Sequence, residues 1–164
     1  MMCKTNSGIS VEPWLCSWPD SSKQSQGFPR RFWKYWMEKY AKEPMLHLFS
    51  GSCEDGHTRV DIRDTGYNNV VGDYRKIKFD RMYKSAFADP PYTQEYADEW
   101  GFEFPKPSDI LKVMRDACIF GSIIGVLHLQ VLRPVKGLSK VAWHPVFCGT
   151  TKHLRCLSVF KVEV

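Results

Sequence analysis

The chain has 164 residues, 43% of them hydrophobic, with 23 Lys and Arg against 18 Asp and Glu for a formal net charge of +5. That is enough for one small domain burying about 70% of its unfolded surface, and the mild positive balance favours a nucleic-acid partner without demanding one. No apolar run approaches the roughly 20 residues of a membrane span, and the N-terminus lacks an apolar signal segment, so a cytoplasmic protein with no membrane partner is expected.

Residues 1–27 are rich in Ser, Pro, Gln, Lys and Gly around Trp14 and Trp18. They show no periodicity, which predicts an irregular arm whose tryptophans tuck against a domain spanning 28–164. From Phe28 the chain becomes basic and aromatic. At 3.6 residues per turn Phe32, Tyr35, Trp36 and Tyr40 share one helical face, with Arg31, Lys34 and Lys39 around it. Such a helix packs on a sheet just before its first strand. A second possibility adds Arg30, Arg31 or Lys34 as phosphate contacts at the rim.

Met45–Leu48 is a short apolar strand breaking at Phe49-Ser50-Gly51-Ser52 into a small-residue turn, as where a backbone must come close to a ligand. Thr58–Ile62 is a second strand ending near Asp61, placed to accept hydrogen bonds from ribose hydroxyls. Asn69–Tyr74 gives a third, with Asp73 at its end, and Ala86-Phe87-Ala88 leads a fourth into Asp89. Three acids following three apolar runs are what an open sheet needs to gather them at one edge. At Asp89-Pro90-Pro91-Tyr92 the prolines stiffen the backbone and leave carbonyls free to accept. Asp89 adds an acceptor and Tyr92 a flat face, so the corner suits a planar group bearing an exocyclic NH2. At roughly 5% usage per residue, a given tetrapeptide arises by chance in about one chain per thousand of this length.

Residues 90–107 are aromatic and acidic, forming either a lid over a substrate or a packed satellite of rings. Ser108 is a plausible cap for a helix with Ile110, Leu111, Met114, Ala117 and Cys118 on one face. Gly121–Gln130 is a buried fifth strand whose His128 is expected to be a satisfied core residue. Val141–Cys148 and Leu154–Val162 form two strands joined at Gly149-Thr150-Thr151. Six cysteines, at 3, 16, 53, 118, 148 and 156, make no CxxC pair and are expected to be reduced. Cys148, His153 and Cys156 are too few for a metal site, so no metal is expected.

Leu-His-Leu-Phe-Ser-Gly, Val-Asp-Ile, Gly-Asp and Ala-Asp-Pro-Pro-Tyr together resemble class I methyltransferases that use S-adenosyl-L-methionine (SAM). The match is closest to small phage or prokaryotic amino-methyltransferases of DNA, over roughly residues 28–162. The resemblance implies an α/β, Rossmann-like sheet, mostly parallel with a C-terminal antiparallel strand pair and helices on both faces. It places the protein in a prokaryotic cell or a virus-infected host. Phe49, Ser50 and Gly51 would line the methionine end of SAM, Asp61 would hold the ribose, and Asp73 would lie by the adenine. Phe28 falls where relatives place a loop over the cofactor. Asp89, Pro90, Pro91 and Tyr92 would receive adenine N6 or cytosine N4. The short gap from Gly51 to Thr58 departs from the pattern, so the first helix is expected to be very short or replaced by a loop.

No stretch after residue 92 is long enough for a target-recognition region. Recognition would then come from a partner chain, from a homo-oligomer, or from contacts with little sequence context. The alternatives are a non-catalytic or partner-dependent SAM-binding subunit, or transfer to RNA or a protein side-chain amide. No Pro-Cys pairing for C5-type chemistry is present.

Overall fold

The computed structural model describes residues 28, 30–148 and 154–164, together with the backbone of 3–4, 10–11 and 15–17. In chain order its elements are β1 (Cys3–Lys4), β2 (Ser10–Val11), β3 (Leu15–Ser17), α1 (Arg30–Lys39), β4 (Met45–Leu48), β5 (Thr58–Asp61) and β6 (Val70–Val71). They continue with β7 (Tyr83–Ala88), α2 (Gln94–Glu99), α3 (Pro107–Ala117), β8 (Cys118–His128), β9 (Leu138–Cys148) and β10 (Leu154–Val162). One sheet runs β1-β2-β9-β10-β8-β7-β4-β5-β6, with β3 also paired on β9.

Strands β4 to β8 are mutually parallel, while β10 lies antiparallel between β8 and β9. The chain enters at β4, steps outward to β6, then returns to the other side of β4 with β7. Strand order therefore reverses between β4 and β7, and the crevice at their C-terminal ends is where an open α/β sheet binds ligands.

Both faces of the central strands are buried, so these strands read as continuous apolar runs rather than alternating ones. Leu46, Leu48, Ala86, Ala88, Ile124 and Val126 point to the face covered by α3. That helix lays down Ile110, Leu111, Met114 and Ala117, all buried. Met45, Phe87 and Leu127 point the other way, onto Phe32, Trp33 and Trp36 of α1. Gly125 lies beneath Trp36, where an added Cβ would come 2.4 Å from Cζ3 of the indole. Glycine is required there by close approach, not by backbone dihedrals.

Of the two forms expected for the first crossover, a very short helix or a loop, the structure shows the loop: residues 49–57 form turns, bends and coil. Helix α1 covers that face instead. Trp33 Nε1 donates to Asp55 Oδ2 at 2.6 Å, and the indole stacks on His47 at 5.3 Å. The far end of α1 is fixed by a 2.7 Å hydrogen bond between the Tyr40 hydroxyl and Nε2 of His144 on β9.

Two local expectations change. Ser108 does not cap α3, which starts one residue earlier at Pro107 with Lys106 as an N-cap that makes no side-chain bond. Proline suits the first helical position because its φ is preset and its missing N–H is not needed there. Within 1–27, expected to be irregular, the backbone forms three short strands, and β2 and β3 run parallel along β9. Trp14 and Trp18 lie outside the described residues. Among those described, no helix is long and apolar enough to cross a membrane.

Gly125→Ala should destabilise the protein by about 1–3 kcal/mol through overpacking. Adding Trp36→Phe, which removes the atoms a new Cβ meets, should recover part of that loss. Urea unfolding midpoints of the single and double variants check both outcomes.

Candidate active site

The site begins where β4 ends. Phe49 has φ 58° and Gly51 φ 51°. A left-handed aromatic residue costs on the order of 1–3 kcal/mol and persists only when its surroundings hold it. The Phe49 ring sits edge-on to Tyr74 at 5.2 Å and to Phe102 at 5.9 Å. Ser50 N donates to Val60 O at 3.1 Å, tying the turn to β5.

Asp61, at the end of β5, anchors the same turn. Its Oδ2 accepts from Gly51 N at 3.0 Å and its Oδ1 from Arg63 N at 3.1 Å. Thr65 Oγ1 donates to Gly51 O at 2.7 Å. The carboxylate thus shapes the loop and lines the cleft together. Ser50 Oγ is buried in the wall of this cleft and has no hydrogen-bond partner. A buried hydroxyl left unsatisfied is costly unless something entering the cleft pairs with it.

Asp89, just after β7, lines the same cleft together with Pro91. The Tyr92 hydroxyl donates to Asp89 Oδ1. Arg155 of β10 lies over the Tyr92 ring, its Cζ 4.7 Å from the centroid, and its Nη1 is 3.9 Å from Asp89 Oδ2. His128 meets the Tyr92 ring edge at 6.0 Å, and its Nδ1 accepts from Gln130 N at 3.4 Å. Burial raises the Asp89 carboxyl above its ordinary range, while Arg155 and the Tyr92 hydrogen bond pull it back. Burial also lowers the pKa of the His128 imidazole.

Of the expected site residues, Phe28, Phe49, Ser50, Gly51, Asp61, Asp89 and Pro91 line one cleft. Pro90 is buried beside it and Tyr92 stands behind Asp89. Asp73 is not among the lining residues. Arg75 holds it with Nη2–Oδ2 at 2.8 Å, keeping its carboxyl below the usual range, and the same guanidinium lies 5.0 Å from the Phe102 centroid. A carboxylate two residues before an arginine finds that partner locally.

The structure adds Ile62, Arg63, Trp100 and Phe102 to the lining. Arg63 lies over Trp100, 5.0 Å from its centroid, and both line the cleft. Ile62 follows Asp61 directly, a signal the sequence carried. Trp100 falls in the aromatic stretch after Tyr92, where lid and satellite were both open, and it serves as wall. Arg155 gave no local signal.

On the proposed basic rim, Arg31 and Lys34 are exposed, and Lys34 pairs with Glu38 at 3.6 Å on the open helix surface. Such a contact adds little. The side chain of Arg30 and all of His153 lie outside the described residues.

No family model matches the chain, and no curated protein does. Solved structures do. TrmN from Thermus thermophilus superposes with a TM-score of 0.60 at 12% identity, over 83% of this chain and 49% of its own. The chain therefore spans about half of TrmN. The Escherichia coli protein yhhF, a proposed methyltransferase, gives 0.54 at 12% identity over 96% of this chain and 93% of its own. HI0767 from Haemophilus influenzae, a proposed methylase, gives 0.50 at 10% identity over 82% and 96%. Identities this low establish the fold: a Rossmann-like methyltransferase sheet, mostly parallel, with antiparallel strands at its C-terminal end.

Asp89 binds a proton more readily folded than unfolded, so its burial as an anion costs stability at neutral pH. That cost is relieved as pH falls through the raised folded value toward the ordinary one, about 4. Asp89→Asn should accordingly be more stable than the parent at neutral pH, with the gap closing on acidification. Denaturation midpoints of both proteins across that range test the sign.

Proposed function

We propose that this chain is a SAM-dependent methyltransferase that methylates an exocyclic amino nitrogen of a nucleic-acid base, adenine N6 or cytosine N4 in DNA. The fold implies SAM as donor. The observation that supports the proposal is that Asp89 and Pro91 of the Asp-Pro-Pro-Tyr run after β7 line the same cleft as Ser50 and Asp61.

The residues present fit the cofactor. Ser50 Oγ offers an unused hydrogen bond inside the cleft, and Asp61 keeps lone pairs beyond its two backbone bonds for ribose hydroxyls. Ile62 and Trp100 supply apolar walls for a ring. Bound there, SAM supplies an electrophilic methyl group on a sulfonium that leaves readily. The chain's own task is then in-line placement of the acceptor.

An exocyclic amine has its lone pair conjugated into the base and is a poor nucleophile. Asp89 and the Pro90 carbonyl accept hydrogen bonds from its two N–H groups, draw the nitrogen toward sp3 geometry, and stabilise the positive charge that grows on it as the methyl arrives. The surplus proton then leaves the methylated nitrogen by way of the Asp89 carboxylate to solvent. Prearranged acceptors do this without reorganising. Tyr92 holds Asp89 through its hydroxyl and offers its ring to the base. A duplex must release the target base into this corner at a cost of a few kcal/mol, so single strands should react best.

Two variants separate the subsites. Ser50→Ala removes a hydroxyl that bonds nothing in the folded chain, so stability should hold while SAM affinity by calorimetry falls about tenfold. Asp89→Ala should retain SAM affinity and lose about 10²–10³ in single-turnover methyl transfer to single-stranded DNA. No SAM binding by the parent protein, or full activity of Asp89→Ala, would overturn the proposal.

A further inference from the structure

Lys140 and Trp143 lie an odd number of residues apart on β9, a spacing that normally sends strand side chains to opposite faces. Here they share one. Val159 pairs with Ala142 and Phe160 with Lys140, which leaves Val141 as the extra residue of a β-bulge. Val141 and Ala142 consequently both pack toward α1. Lys140 lies over Phe160 on the α3 face, its Nζ 5.9 Å from the ring centroid. Trp143 stands opposite Ser158, whose Oγ accepts from Leu132 N at 2.9 Å on that same face. Bulges re-aim side chains in this way and are over-represented beside functional sites.

The α3 helix packs over β7 and β8, and residues 129–137 cross over β10, so Trp143 remains half-buried beyond both. Burial lowers the pKa of the Lys140 amine, and exposed Arg133 nearby lowers it further. The cations of α3 each have an acid, Lys112 with Asp109 at 3.5 Å and Arg115 with Asp116 at 2.7 Å. Among the described residues Arg133 and Lys140 have none, so two like charges flank an indole with no anion between them.

We propose that Arg133, Lys140 and Trp143 form a binding site for the single-stranded nucleic acid that flanks the target base, with a base stacked on the indole and phosphates on the two cations. This rests on the amino-methyltransferase proposal and adds a surface that holds the substrate strand outside the acceptor corner. The sheet register connects the two places. Ala88, just before Asp89, pairs with Val126, Val126 with Ser158, and Ser158 with Trp143. Trp143 is therefore level with the corner across three strand steps, about 14 Å at the usual spacing.

Exposed Leu129 and Val131 belong to the crossover that leaves β8 along this line. Helix α2, directly after the Asp-Pro-Pro-Tyr run, exposes Glu95, Asp98 and Glu99 and carries no cation. A polyanion at the corner is repelled by α2 and drawn toward β9. Aromatic rings beside cations hold single strands with little sequence readout, since every base has a face to stack.

The test measures fluorescence anisotropy of a labelled single-stranded oligodeoxynucleotide of about ten nucleotides, a usual site size for such strands. The full chain is used throughout. Trp143→Leu should weaken binding about tenfold or more, the effect of losing one stacked base, while Trp143→Tyr keeps most of the affinity. The double variant Arg133→Gln, Lys140→Gln should reduce the slope of log affinity against log salt by about 1.4, at about 0.7 per phosphate contact. Its two changes lie at the surface, so it tests the site even where Trp143→Leu fails to fold. Its urea midpoint should stay close to that of the parent.

No binding by the parent at low salt, or affinity unchanged in both the tryptophan and the cation variants, overturns the site. So does equal affinity for a polyglutamate peptide of the same charge. A dimer in sedimentation that Trp143→Leu dissociates would assign this face to a second copy instead. Methyl transfer to the same oligonucleotide reports separately on the reaction. Binding that depends on the three residues without any transfer leaves the site standing and removes the reaction; transfer undiminished in the variants at sub-saturating DNA does the reverse.

Discussion

Trp36 lying on Gly125 is the contact on which the rest of this small sheet depends. Parallel strands normally need a crossover of a dozen or more residues, usually a helix, and those helices cover the sheet. Here residues 49–57 connect β4 to β5 without one. Were nothing else available, Met45, Phe87 and Leu127 would face water on that side. Helix α1, placed before the first parallel strand, supplies the cover. Because Gly125 has no side chain, the indole reaches the sheet itself, with the Phe87 ring 5.0 Å away. Burying rings of this size contributes on the order of 2–3 kcal/mol each.

That packing extends to the site through a continuous set of rings. Trp33 stacks on Phe28 at 4.6 Å, and Phe28 is also a wall of the cleft. Trp33 bonds Asp55 as well, within the loop that follows the Ser50-Gly51 turn. The helix that replaces a missing crossover therefore fixes both the wall and the loop of the candidate cofactor site. A strained Phe49 can be tolerated because Tyr74 and Phe102 hold its ring from the other side of the sheet.

The acids of the sheet edge show how similar local sequence leads to different environments. Asp61 spends its first two hydrogen bonds on backbone amides and remains in the cleft wall. Asp73 is taken by Arg75 two residues on, a local contact available before any tertiary structure forms. Asp89 meets its arginine from β10, so its environment exists only once β7, β8 and β10 are assembled. A buried carboxylate with a distant cationic partner can be tuned or released by what enters the site, whereas one paired locally cannot.

The succession of the central strands along the chain, the acids that follow them and the Asp-Pro-Pro-Tyr run were legible in the amino-acid sequence, because apolar runs, turn residues and proline act over a few positions. The amphipathic face of α1 was legible for the same reason, through Phe32, Trp36 and Tyr40 at helical spacing. What the chain does with those elements was not. The absence of a crossover helix and its replacement by α1, the pairing of Asp73 with Arg75, the wall formed by Arg63 and Trp100, and Arg155 beside Asp89 all depend on residues far apart in the chain or on competition between partners. Periodicity and motif spacing report which face a residue occupies. Only the assembled sheet decides which charge reaches which, since that is set by strand order and register across β7, β8 and β10.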